Sequence, residues 1–169
     1  YNLLVINMYD DQLKKIFAPI IKDELLNQTS KKLVDHTIQQ LESKGYKNQA
    51  SPREINLFYI KKGLRERIVF ESNVFKVLNT NIQFSETELL NEIDTFPNNF
   101  SPNVILRPLF QETILPNLAY IGGGGEIAYW LERKSQFGHY NIPFPILVRR
   151  NSVLWMDKDA LKKMGKLGI

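Results

Sequence analysis

The amino-acid sequence predicts an α/β protein built on a doubly wound, mainly parallel sheet with a small antiparallel β insertion or edge. Three observations carry this expectation. Short apolar runs alternate with stretches whose apolar residues recur at the helical period. Four consecutive glycines, Gly122–Gly125, separate one apolar run from an amphipathic one, in the order strand, glycine loop, helix. Near the middle, brief β-type runs are punctuated by turn-forming pairs.

The elements follow in order. Leu3-Leu4-Val5-Ile6 is a short apolar run that predicts a buried strand, closed by Asn7 and Asp10-Asp11. From Asp11 to Asn27, Leu13, Ile16, Phe17, Ile20, Ile21, Leu25 and Leu26 keep the helical period. A second helix is expected from Ser30 to Ser43, with Gly45 as its stop. Glu54 to Ile60 has the residue types of a strand. Arg67–Phe70, Val74–Leu78 and Ile82–Phe84 predict antiparallel strands joined by turns at Ser72-Asn73 and Asn79-Thr80. Ser85 and Glu88 form a capping box that opens a helix ending near Phe96-Pro97. Beyond it, Val104-Ile105-Leu106, Leu118–Ile121 and Phe144–Val148 are expected strands. A short helix around Leu109–Leu115, one from the glycines to Phe137, and a last one over Lys158–Lys166 alternate with them. The chain thus divides into a strand-plus-helical part (1–50), a β-rich part (51–84) and an α/β half carrying the glycine loop (85–169).

A chain of 169 residues can enclose one core. Its 43% hydrophobic and 24% charged residues are those of an ordinary globular protein, and no apolar run approaches the ~20 residues of a membrane span. Cysteine is absent, which excludes disulfides, thiolate metal clusters and a thiol nucleophile. A cytoplasmic location is the expectation, with no membrane or nucleic-acid partner, because the net charge of +4 is spread over solvated faces. The start at Tyr1, without methionine, suggests a piece of a longer protein.

In open parallel sheets, ligands bind beyond the carboxyl ends of the strands. Three predicted strands end at Arg107, at Gly122–Gly125 and at Arg149-Arg150. If they are parallel, guanidinium groups and a glycine loop at a helix N-terminus share one rim suited to phosphate or carboxylate. The alternatives are surface ion pairing for the arginines and a simple tight turn for the glycines. Gly122 and Gly124 fit G-x-G-x-x-G, but Ile127 occupies its last position, and no P-loop ending follows. Glu126 lies in the helix's first turn, where its dipole favours a carboxylate. Ile127, Trp130, Leu131 and Lys134 share the expected core face; Glu126, Tyr129 and Arg133 share another, from which Tyr129 can reach a substrate. Gln111 and Glu112 follow Arg107, and Glu112 is a candidate to take a proton from an attacking amine. His36 and His139 are far apart, so no metal site is expected.

The run Ser101–Thr113 (SPNVILRPLFQET) and its continuation Leu118–Trp130 (LAYIGGGGEIAYW) closely resemble the bacillithiol biosynthesis cysteine-adding enzymes. Pro52–Tyr59, Phe17–Ile20 and Arg65–Ile68 share the resemblance, which spans essentially the whole chain. It implies a Rossmann-like core reminiscent of class I aminoacyl-tRNA synthetases, and a ligase that adds cysteine to glucosaminyl-malate in the last step of bacillithiol synthesis. It further implies ATP or another nucleotide as activating cosubstrate, and a parent that dimerises through a coiled coil outside this chain, as is a nucleotide signature preceding it. In that frame Arg107, Gly122, Gly123, Gly124, Gly125, Glu126 and Arg149 hold anionic groups, while Gln111, Glu112 and Tyr129 orient substrate, the last two as catalytic candidates. The fragment alone is expected to be inactive. The family often has proline at Gly124 and aspartate at Asn7. A non-catalytic Rossmann-like ligand-binding or scaffolding module is the alternative, and an RNA-binding domain ranks behind both.

Overall fold

The computed structural model of the chain describes residues 3–168. Helix α1 (Asp11–Asn27) starts where the Asp10 carboxylate accepts from the Gln12 and Leu13 N–H groups, and ends at Gln28 in the left-handed region, φ 52°. That residue turns the chain into α2 (Thr29–Glu42). Then come β1 (Leu57–Lys61), β2 (Leu64–Glu71), β3 (Val74–Val77) and β4 (Gln83–Phe84). Ser72 and Asn73 both take positive φ, 53° and 60°, the backbone of the two-residue hairpin that joins β2 to β3. Ser85 caps α3 (Glu86–Thr95) through the expected capping box with Glu88.

A 3-10 turn (Pro97–Asn99) leads to β5 (Phe100–Pro102), then α4 (Arg107–Ile114). Next are β6 (Ala119–Gly122), α5 (Gly124–Glu132), α6 (Lys134–His139), β7 (Ile146–Arg149) and α7 (Lys158–Leu167).

The larger sheet has the order β4-β3-β2-β1-β5, and every pairing in it is antiparallel. One face presents Leu57, Tyr59, Ile68, Phe75, Val77 and Phe100 to α1 and α3, whose Phe17, Ile21, Leu25, Leu89 and Ile93 complete the core. A second, two-stranded sheet pairs β6 with β7 in parallel, Ala119 opposite Ile146 through Gly122 opposite Arg149. Trp130 of α5, 1% exposed, stacks on Tyr120 of β6 at 4.1 Å and joins this unit to the main core. The Tyr140 hydroxyl after α6 donates to Asp23 of α1 at 2.6 Å, a second tie between the two parts.

The α/β class is therefore present, but the expected balance inverts: the antiparallel sheet is the larger, and among the described residues only one pair is parallel. A parallel neighbour needs a crossover connection, which α5 with α6 supplies between β6 and β7; β1 to β4 follow one another through tight turns or short segments, and α3 carries the chain from β4 to β5 at the opposite edge of the same sheet. Two expected strands are absent. Leu3, Leu4 and Val5 are exposed, and the 3–6 segment is unpaired among the described residues. Val104–Leu106 is a turn instead, because the Asn103 side chain accepts from the Ile105 N–H at 2.8 Å and its carbonyl from the Arg107 N–H at 3.0 Å. The strand falls just before, at Phe100–Pro102, on the sheet edge where Pro102 withholds no needed donor.

Candidate functional site

The glycine turn sits between β6 and α5 with the end of β7 beside it. The Arg150 N–H bonds the Gly122 carbonyl at 2.9 Å. None of the four glycines has positive φ; space explains Gly122 and Gly123, whereas Gly124 and Gly125 have room for a side chain. A Cβ on Gly122 would lie 2.7 Å from the Tyr120 ring, and one on Gly123 would lie 3.2 Å from the Arg150 guanidinium. Gly124 faces open space at the first position of α5, where proline's fixed φ is equally at home.

Glu126 folds back over the turn and accepts from the Gly123 N–H at 2.6 Å. Its carboxylate and the Arg150 guanidinium thus both lie about 3.3 Å from where a Gly123 side chain would begin, and both residues are solvent-exposed. Arg149, the arginine singled out in the sequence, is exposed on the adjacent strand end. Arg150 is the one laid against the turn. The sequence marks both arginines at the end of the expected strand, but spacing alone does not say which of the two reaches the turn.

Of the Glu126, Tyr129 and Arg133 face, expected to look into a cleft, Glu126 stays exposed, Tyr129 is half-buried and Arg133 turns fully inward. Arg133 is fully buried in an ion pair with Glu132 and donates to the Tyr129 carbonyl at 2.8 Å and the Ala50 carbonyl at 3.2 Å. Glu132 in turn accepts the Gln49 N–H at 2.7 Å. Tyr129 is half-buried against the core, while Leu131, placed on the expected core face, is largely exposed. Burial holds the Arg133 guanidinium below its usual range despite the Glu132 partner.

Glu112 is buried and fully engaged. It accepts from the Asn117 N–H at 2.8 Å, the Asn117 amide at 2.9 Å and the Gln111 amide at 3.0 Å, tying α4 to the turn before β6. Arg107 does not join the glycine turn, because the strand expected to carry it there is the Asn103 turn. It lines a separate cleft of about 430 Å³ that contains no residue of the glycine turn. Lys14 and Arg65 line the same cleft. Sequence reasoning missed Lys14, although it stands three residues before Phe17 and seven before Ile21, on the buried stripe of α1. Among the described residues no three His, Asp or Glu side chains cluster as a metal site, and no helix is long and apolar enough to cross a membrane.

Residues 1–151 match the family model described as Bacillithiol biosynthesis BshC, N-terminal Rossmann-like domain. Relatives named "putative cysteine ligase BshC" align along the chain. The one from Flavobacterium johnsoniae is 54% identical over 169 residues, all of this chain and 32% of the relative. That from Flavobacterium psychrophilum is 55% identical over the same span, and that from Staphylococcus haemolyticus is 31% identical over 164 residues, 96% of this chain and 30% of the relative. The chain spans about a third of the length of the curated relatives it matches.

Proposed function

Because the chain belongs to the BshC family, through the N-terminal Rossmann-like domain, we propose that it forms part of a ligase joining cysteine to glucosaminyl-malate. The observation that supports this reading is the opposed pair at the glycine turn. Glu126 supplies a negative and Arg150 a positive charge beside Gly123, which suits the ammonium and carboxylate of one amino acid. Glycine at 122 and 123 keeps side chains out of the way, and Gly124 leaves space above the helix start.

Joining the cysteine carboxylate to an amine removes the elements of water, and ATP or another nucleotide supplies the activation for that step when bound. Arg149, exposed next to Arg150, gives the turn a second cation for phosphate oxygens beside the carboxylate. Glu112, Gln111 and Tyr129 serve this arrangement as frame: the first two lock α4 to the β6 turn, and Tyr129 anchors Arg133 beneath α5.

The test is an amide NMR titration of the chain with L-cysteine, cysteamine and 3-mercaptopropionate. Saturable shifts at Gly123, Glu126 and Arg150 with L-cysteine alone are expected, and Glu126→Gln and Arg150→Gln should each weaken it about tenfold. Equal responses to all three thiols, or none at the turn, would overturn the assignment. In the full-length parent the same variants should lower kcat/KM for cysteine and leave the KM for glucosaminyl-malate in place.

A further inference from the structure

The cleft that takes Arg107 away from the glycine turn has its own chemistry. Its walls come from the segment at Asn7, from the first turns of α1 and α4, and from β2 and β5. Lys14 forms its inner part, 2% exposed, and donates to the Phe100 carbonyl at 2.7 Å, with its ammonium 4.8 Å from the Phe110 ring centroid. An ammonium has three donors and the Phe100 carbonyl takes one of them. Arg65 stands at the mouth, stacked on Phe58 with the guanidinium carbon 3.7 Å from the ring centroid. Stacking fixes the plane of the fork and leaves its N–H edges free to bind. Arg107 is exposed beside it at the start of α4.

Among the described residues no carboxylate lines this cleft, and none of the three cations has a salt-bridge partner. A buried ammonium without a counter-charge is unfavourable unless something completes it. Desolvation accordingly pulls the Lys14 amine down to about 8.

We propose that this cleft is a binding site for a compact polyanion, a dicarboxylate or a phosphate group, with Lys14 at its floor and Arg65 and Arg107 at its rim. The proposal does not depend on the amino-acid site at the glycine turn, with which the cleft shares no lining residue. Oxygens of opposite charge give Lys14 the partner it lacks, and the stacked fork of Arg65, with Arg107 as a second cation, grips the second acidic group. The volume suits a small molecule or the acidic end of a larger one.

Titration calorimetry of the 169-residue chain with L-malate, inorganic phosphate and ATP, paired with amide NMR, tests this. One-to-one binding in the millimolar range or tighter is expected, with shifts at Asn7, Arg65, Ser101 and Arg107 and weakening as salt rises. Preference for malate identifies a dicarboxylate site; preference for phosphate and ATP identifies a phosphoryl site. Arg107→Gln and Arg65→Gln, both exposed and therefore safe for folding, should each weaken binding about tenfold, and Lys14→Met by more. Lys163→Gln, exposed on α7 and outside the cleft, should leave this binding unchanged. Absence of saturable binding by all three anions, or binding indifferent to the Arg65, Arg107 and Lys14 variants, would overturn the proposal.

Discussion

The antiparallel sheet and the β6–α5–β7 unit are made of similar residues but enclosed to very different degrees. In the first, the apolar face of the strands lies under α1 and α3, and Phe17, Tyr59, Leu89, Ile93 and Phe100 are sealed from solvent. In the second, Tyr120 and Leu147 face the core, while Ile121, Ile146 and Val148 on the opposite face are 67%, 71% and 41% exposed. Parallel strands are normally covered on both faces, and two strands alone are marginal. The contrast teaches that the antiparallel part carries the stability of this chain, whereas the parallel part depends on one inward face and a few ties.

Breaking the tie between the two parts should have the largest effect. Arg133→Met leaves Glu132 buried without its cation and removes the link to Ala50, at a cost of about 3–5 kcal/mol. Denaturant unfolding followed both by total helicity and by amide signals of β6 and β7 checks it. Loss of the β6–β7 signals before the rest would sharpen the contrast; a single joint transition would erase it.

The antiparallel side makes its own prediction through Lys14, whose folded amine lies below its ordinary 10.5, at about 8. Below pH 8 the folded state holds a desolvated ammonium and the penalty is complete. As pH rises the folded state sheds this proton before the unfolded state does. Stability should therefore climb between about pH 8 and 10.5, by up to roughly 3 kcal/mol. Lys14→Met should flatten that slope in urea titrations run at successive pH values; an unchanged slope would remove Lys14 as its source.

Gly122→Ala should cost about 1–3 kcal/mol, because the added methyl meets a Tyr120 ring already stacked on Trp130. Gly124→Pro should act in the opposite direction and raise stability by about 0.4–1 kcal/mol, since the position is open and helical and Gly123 before it is extended. Melting temperatures of the pair read both signs. Smallest of all, Val148→Thr on the exposed face should change stability by less than about 0.5 kcal/mol. A larger loss would mean the face is covered in solution.

Local chemistry was legible in the sequence wherever it was self-contained. The periodic α1, the Ser85–Glu88 box and the Ser72-Asn73 hairpin depend on residues a few positions apart, and all three are present. Apolar composition alone misled at Leu3–Ile6 and Val104–Leu106. The first run lacks a strand to pair with, and the second is bent by a single Asn103 side chain. The glycine turn was visible as a loop, but its partner Arg150 and the inward turn of Arg133 depend on packing across more than 80 residues in the case of Ala50. Arg107 was noticed for its charge and placed with the wrong neighbours, because its position followed from a strand that does not form. The cleft's other cations, Lys14 and Arg65, are far apart in sequence and meet only through the fold.

The chain has two tryptophans, and their settings differ as much as the two sheets do. Trp130 is stacked and sealed at 1% exposure, while Trp155 stands 92% exposed after β7. Replacing Trp155 with phenylalanine leaves one emitter, positioned where the parallel unit meets the core. Its emission colour and its accessibility to a dissolved quencher would then report, without any attached dye, each time that joint loosens or tightens.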